Sequence, residues 1–443
     1  MYSVKRIWPW LLLWGVVDLL CALFCEIHAD EAYYRLYGQF LNWGYFDHPP
    51  MVGLMTAVSA ALVPATSLIL KNLSVRLVTV LIHVGTVYIV WRTIVEGVGC
   101  KVYSVKEMLT RFLLVAASIP MFCAYGFLTT PDAPLLFFTA LFFYSYRRFL
   151  SQEPRAKSQE TGNILLLGLS MAGMLYSKYI AVLVIGFTLL GNLSLLRNGK
   201  AWTAVGIAAG LMVPHLLWQY TNNFPSFTYH LVSRATTYQP LYTLEFIPNQ
   251  LAVFNPIVWA LMCRLGGRAI MQNDPYKRSM GLTIIGMQVF FLIMSFRGHV
   301  EPHWTIASAI PAIILLTEEE QLWKRGVKIA LGVCVGLILL ARVILMLNIL
   351  PPQTGLAGKQ PYYEQIHAEA QGFPVVFDGS FQAPSLYRFY YNDEAVLVRS
   401  ADNRYTQFDL WHLERELMGQ PACVRRKGKV YITDHLTEED LHE

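Results

Sequence analysis

KRIWPWLLLWGVVDLLCALFCEIHADEAYYRLYGQFLNW, residues 5–43, is the stretch on which the reading of the chain turns. At 1.5 Å per residue, the apolar run from Ile7 to Cys25 is about long enough to cross a hydrocarbon core of roughly 30 Å. Lys5 and Arg6 precede it. A cleaved leader is set aside, because the run is too long for a leader's apolar region and Glu26-Ile27-His28 is not a small-residue cleavage site. Neither Cys21 nor Cys25 follows a small residue, as a lipoprotein signal requires, so the run reads as a retained first span. Asp18 inside it is costly in lipid and is expected to face the interior of a helix bundle. Beyond the span, Tyr33, Leu36, Tyr37, Phe40 and Leu41 recur at i, i+3, i+4, i+7 and i+8. This predicts an amphipathic helix lying in the outer membrane interface, with Asp30 and Glu31 at its start.

Similar runs recur outward from this stretch, roughly at 74–95, 109–128, 133–149, 163–177, 179–196, 201–218, 246–263, 279–296, 303–317 and 326–348. Together they predict a polytopic α-helical membrane protein of about eleven spans. The composition agrees. Of 443 residues 55% are hydrophobic and 15% charged, against about 25% charged in soluble domains, which excludes a water-soluble enzyme. The net charge of +5 does not imply nucleic acid, and the seven cysteines form no disulfide framework. As one helix, 163–196 would be about 51 Å long, so it reads as a hairpin with Lys178 at the turn. Segment 51–63 is too short to span.

With this parity, basic residues such as Lys5, Arg6, Arg147, Arg148, Arg264, Arg268, Lys324 and Arg325 gather on one side. The positive-inside rule places that side, and the N-terminus, in the cytoplasm. The expected organisation is a transmembrane domain over 1–348 with an outer interfacial loop at 26–73, and a small extracytoplasmic domain over 349–443. Pro374–Asp378 and Glu394–Val398 read as strands and 409–418 as a helix, so the tail is expected to be α/β. Its Tyr387, Tyr390, Tyr391, Asn403, Arg404, Tyr405, Gln407 and Trp411 suit a glycan, or core packing equally.

The same parity gathers the unusual polar residues on the outer face: Asp30, Glu31, Tyr33 and Tyr34; Asp47 and His48 in a Pro-bounded turn; Asp132; Lys178; His230 and Arg234 in the 219–245 loop; and Arg297, His299, Glu301, His303 and Trp304. Plain alternatives exist: Asp30 as an N-cap, Glu31 as a first-turn acid, Asp132 as a cap of the fourth span and Lys178 as a snorkelling side chain. His299, Glu301 and His303 alternate as metal ligands sometimes do, but no HExxH helix face is present and no metal or other cofactor is expected. Asp47, His230, His299 and His303 are the positions where a divalent ion would be sought.

These motifs resemble the bacterial membrane glycosyltransferases related to protein O-mannosyltransferases and lipid A aminoarabinose transferase, a group with the GT-C fold. The resemblance covers most of the chain and rests on Asp30-Glu31, Phe46-Asp47-His48-Pro49-Pro50, Pro131-Asp132-Ala133-Pro134, Lys178, Arg234, and Arg297 with Glu301-Pro302-His303-Trp304. It implies a bacterial inner-membrane enzyme that moves a sugar from a polyprenyl (undecaprenyl) phosphate carrier to an extracytoplasmic acceptor, with direct inversion and with Asp30 as the catalytic carboxylate. Glu31 and Asp132 join it as catalytic candidates. The sequence departs from the family pattern in placing His48, which can titrate, at the basic position of the turn, and in having a short tail.

Transfer from such a donor needs a carboxylate as base or electrostatic partner for the acceptor, and cations for the departing phosphate. Lys178, Arg234 and Arg297 are the expected phosphate ligands. Tyr33, Tyr34, Asp47, His48, His230, His299, Glu301, His303 and Trp304 are the expected substrate contacts. The rival class is a transporter or flippase of a lipid-linked sugar. That class predicts internal repeats and ionisable groups near the midplane. Asp18 is the one such group here, and no repeat is evident.

Overall fold

The computed structural model describes residues 6–98, 105–151, 157–230, 237–391, 394–398, 404–426 and 429–442. Helix α1 (Trp8–Phe24) takes Pro9 in its first turn, where a missing N–H costs nothing. At Cys25 the backbone becomes extended, and the chain bends by 91° into α2 (Ala29–Gln39). The short α3 (Met51–Leu62) packs back on α2 so closely that a Cβ on Gly38 would lie 2.4 Å from Thr56 Oγ1. Glycine at 38 permits that approach.

The bundle continues through α4 (Leu68–Val98), α5 (Val105–Ser118), α6 (Asp132–Leu150), α7 (Lys157–Ser177), α8 (Ala181–Gly191) and α9 (Gly199–Thr221). It closes with α10 (Phe246–Phe254), α11 (Pro256–Ile270), α12 (Pro275–Met294), α13 (Ala309–Glu318) and α14 (Arg325–Met346). Trp91, Phe112, Phe143, Ile284 and Ile310 lie in one buried apolar core. Asp18 faces that interior as expected: Arg342 Nη1 and His83 Nδ1 each lie 2.7 Å from its carboxylate.

Among the described residues, α4, α9, α12 and α14 are each long and apolar enough to cross a membrane, and two bent pairs bring the number to six. The apolar runs counted in the sequence are therefore not all single straight helices. The 246–263 run breaks at Asn255, whose φ is +63° and whose side chain caps α11, and Pro256 opens the next turn. The 109–128 run stops at Ser118 before Pro120, and the 303–317 run begins as a 3-10 turn, Pro302–Ser308. Helix α7 ends at Ser177 and α8 begins at Ala181, so Lys178 sits in a helix break.

The tail forms α15 (Gln360–Ala370), β1 (Val375–Asp378), α16 (Gln382–Tyr391), β2 (Ala395–Val398), β3 (Ala422–Arg426) and β4 (Lys429–Thr433). The sheet order is β2-β1-β3-β4, with β1 parallel to both neighbours and β4 antiparallel to β3. Val376 stands opposite Val396 on one side and Val424 on the other. The strands expected at 374–378 and 394–398 are present. The helix expected over 409–418 is instead two pieces, Gln407–Trp411 and a 3-10 turn at Leu413–Leu417, separated by His412 at φ +53°.

This unit covers the face of α2 that the sequence assigned to lipid. Leu386, Tyr387 and Phe389 of α16 share a buried cluster with Ile27, Ala29 and Ala32, while Tyr33, Leu36 and Tyr37 pack with Leu397 and Phe408. The amphipathic pattern was real, but its partner is protein. Polar ties reinforce the docking: Lys71 Nζ donates to the carbonyls of Phe389 and Tyr390 at 3.2 and 2.9 Å, and Tyr390 Oη donates to Glu26 at 2.6 Å.

Candidate active site

The start of α2 separates the two acids of the Asp30-Glu31 pair. His28, not Asp30, is the N-cap: its side chain accepts the Asp30 N–H at 3.3 Å, and Glu31 completes the capping box by accepting the His28 N–H at 3.0 Å. Glu31 is fully buried and receives Arg76 Nε at 2.8 Å, Arg76 Nη2 at 2.6 Å and the Thr129 N–H at 2.9 Å. Burial alone would raise its carboxyl, but Arg76 and the two N–H donors hold it below the usual carboxylate range. Both oxygens are engaged, so Glu31 acts as a tie between α2, α4 and the segment before α6.

Asp30, freed from capping, keeps 37% of its side chain exposed. Its Oδ1 accepts Gln382 Nε2 at 3.2 Å, and its Oδ2 lies 3.7 Å from His28 Nδ1.

Asp132, the first residue of α6, is buried and grips Lys178, whose Nζ lies 2.8 Å from each carboxylate oxygen. His303 Nε2 stands 3.6 Å away on the same carboxylate. Asp47 is held on three sides. Tyr37 Oη donates to its Oδ1, Arg404 Nη2 lies 3.6 Å from Oδ2, and His230 Nε2 lies 2.9 Å from its backbone oxygen.

Lys178 also lines a cavity of about 320 Å³. Arg297, His48 and His299 join it from loops and His230 from a helical turn, Ile180, Val182 and Leu183 contribute an apolar wall from the break and α8, and Phe290 and Met294 another from α12, with Trp304 alongside. Packing among these groups pushes the His48 imidazole down to about 3, with Lys178 and His230 adding to the fall and Asp47 and Asp132 opposing it. Burial thus favours the neutral imidazole of His48 near pH 7. Its Nδ1 has no hydrogen-bond partner among the described residues.

Other expected contacts are placed elsewhere. Tyr33 is 1% exposed and its hydroxyl accepts the Gln407 N–H at 2.7 Å, beneath the tail unit. Tyr34 is buried edge-on to His48, with ring centroids 5.6 Å apart. His299 pairs with Glu301 at 3.8 Å while His303 turns to Asp132, so the three alternating residues do not converge. Among the described residues, no group of three or more His, Cys, Asp or Glu side chains is placed to hold a metal ion. Arg234 and Asn403 lie outside the described residues.

Three participants were missed in the sequence: Arg76 beneath Glu31, Gln382 on Asp30, and the docking role of Arg404 at Asp47. Arg76 had a signal, because an arginine inside an apolar run must find an interior partner.

A family model described as dolichyl-phosphate-mannose-protein mannosyltransferase matches residues 47–218. In the solved structure of ArnT from Cupriavidus metallidurans in the apo state, 93% of the chain aligns with 95% of this one at a TM-score of 0.69 and 14% identity. This chain has the GT-C fold. ArnT from the same organism bound to undecaprenyl phosphate aligns at a TM-score of 0.65 and 16% identity, over 94% of this chain and 92% of its own. The lipid A galacturonosyltransferase RgtD of Rhizobium johnstonii is 24% identical over 334 residues, 72% of this chain. The match spans 66% of that relative's length. The chain thus has the fold of ArnT and matches the protein mannosyltransferase family model over residues 47–218, in line with the resemblance its motifs carry.

Proposed function

We propose that this protein is an integral membrane glycosyltransferase that takes a sugar from an undecaprenyl-type polyprenyl phosphate and places it on an extracytoplasmic glycolipid of the lipid A type. The observation that carries the reading is the cavity at Lys178. It combines two cations, Lys178 and Arg297, with apolar walls from α8 and α12, a combination that suits a phosphate attached to an isoprenoid chain. The likeness to ArnT bound to undecaprenyl phosphate supports the donor, and the likeness to RgtD supports the acceptor class.

In this reading an acceptor hydroxyl attacks the anomeric carbon as the bond to the phosphate oxygen breaks. The phosphate leaves with the electron pair and is stabilised by Lys178 and Arg297, because its charge grows in the transition state. Asp30, the exposed carboxylate of the acidic pair, receives the hydroxyl proton. If the acceptor atom is itself a phosphate oxygen, Asp30 has no proton to take and acts electrostatically. Asp132 holds Lys178 in place, and Glu31 holds the start of α2. The tail unit and the 26–73 loop lie outside the cytoplasm and the N-terminus inside. Cysteines introduced at Asn42 and Gln371 should label with an impermeant reagent on intact cells, and labelling at Asp274 instead would reverse the orientation.

The test is turnover by the purified full chain with radiolabelled polyprenyl phosphate sugars, hexosyl and pentosyl, against a panel of lipid A, glycan and protein acceptors, with and without a chelator. Transfer to a lipid A acceptor that survives chelation is the expected result. Movement of the lipid-linked sugar across vesicles with no transfer to any acceptor would favour a flippase.

A further inference from the structure

The tail unit does more than cover α2. Phe381, just before α16, sits 4.3 Å centroid to centroid from Tyr33 and 5.0 Å from the Arg404 guanidinium carbon. Ser380 Oγ accepts the Gln382 N–H at 3.3 Å, and the next turns of α16 are anchored on Ile27, Ala29 and Ala32. The backbone around Gln382 is therefore held by its neighbours, and the solvent-exposed side chain of Gln382 donates from its amide to Asp30 Oδ1 at 3.2 Å.

We propose that Gln382 is a positioning residue for Asp30, so that the tail unit completes the reactive end of the membrane domain. A carboxylate at the start of a helix, with 37% of its side chain exposed, can rotate among several orientations. One donor on Oδ1 selects the rotamer and leaves Oδ2 for the acceptor, with His28 Nδ1 3.7 Å away on that side. A neutral amide suits the task, since it fixes the carboxylate without neutralising it as an arginine would. This inference rests on the reading of Asp30 given above.

The experiment uses the full chain in nanodiscs and compares Gln382→Ala, Asp30→Asn and the double variant. In Gln382→Ala, kcat should fall roughly ten-fold, with KM for donor and acceptor within about two-fold and unfolding temperature unchanged. Added to Asp30→Asn, it should cost nothing further. A second readout needs no turnover: a water-soluble carbodiimide with glycine ethyl ester, followed by mass spectrometry, should modify Asp30 several-fold faster in Gln382→Ala. Wild-type kcat and wild-type carbodiimide rate in Gln382→Ala, alongside an inactive Asp30→Asn, would overturn the positioning role alone. A rise in KM with unchanged kcat would also overturn it. Wild-type turnover in Asp30→Asn would overturn both this inference and the reading beneath it.

Discussion

The ammonium of Lys178 sits 2.8 Å from both carboxylate oxygens of Asp132, in a helix break that opens on the cavity. The pair is buried, so removing either charge leaves the other without its close counter-charge. Lys178→Ala should lower affinity for undecaprenyl phosphate and also destabilise the fold by about 3–5 kcal/mol, because the buried Asp132 loses its ammonium partner and keeps only the longer contact to His303 at 3.6 Å. Lys178→Met with Asp132→Asn should recover much of the stability and none of the affinity. Arg297, exposed at the same cavity, provides the contrast. Arg297→Ala should cost about 1.5–3 kcal/mol of donor affinity with little change in unfolding. Thermal unfolding and lipid binding measured side by side check both, and unchanged affinity in both variants would remove phosphate binding from their roles.

Glu31 and Arg76 form a second buried pair, at 2.6 Å, with no open side. Arg76→Met should destabilise by about 3–5 kcal/mol through the stranded carboxylate, and Glu31→Gln should also destabilise the fold. At a temperature where Glu31→Gln stays folded, its turnover should remain within a few-fold of wild type. A loss comparable to that of Asp30→Asn in a folded Glu31→Gln protein would return Glu31 to the chemistry.

His48 gives a pH dependence whose sign can be worked out. Its native value is near 3, below the roughly 6.5 of an unfolded histidine. Above about 6.5 neither state binds the proton; below it the unfolded chain does and the native chain does not, so stability falls as pH drops from about 6.5 toward 3. The slope from this one group is at most about 1.4 kcal/mol per pH unit. His48→Gln should flatten that arm of the unfolding profile, and an identical acid arm in the variant would contradict the assignment.

The legibility of the sequence followed what local pattern can encode. Apolar runs announced the helical bundle, the helical spacing of Tyr33, Leu36, Tyr37, Phe40 and Leu41 announced α2, and the length of the 163–196 run announced the helix break at Lys178. Helix count was less legible, because Asn255-Pro256 and Pro120 bend runs that hydropathy reads as continuous. The amphipathic stripe of α2 specified a buried face but not its partner: Tyr33 and Tyr37 look the same whether they meet lipid or Phe408. Long-range ties were silent for the same reason. Gln382 lies 352 positions from Asp30, and nothing in the local pattern of either residue points to the other.

The most direct test of the account is turnover of Asp30→Asn with a confirmed donor and acceptor. Asn keeps an oxygen for the Gln382 amide and leaves the His28 cap untouched, so the fold and undecaprenyl phosphate binding should be preserved. If Asp30 is the working carboxylate, turnover should fall by roughly 10²-fold or more. Near-normal turnover in a folded, lipid-binding Asp30→Asn protein would contradict the claim and move the search for the carboxylate to Asp132.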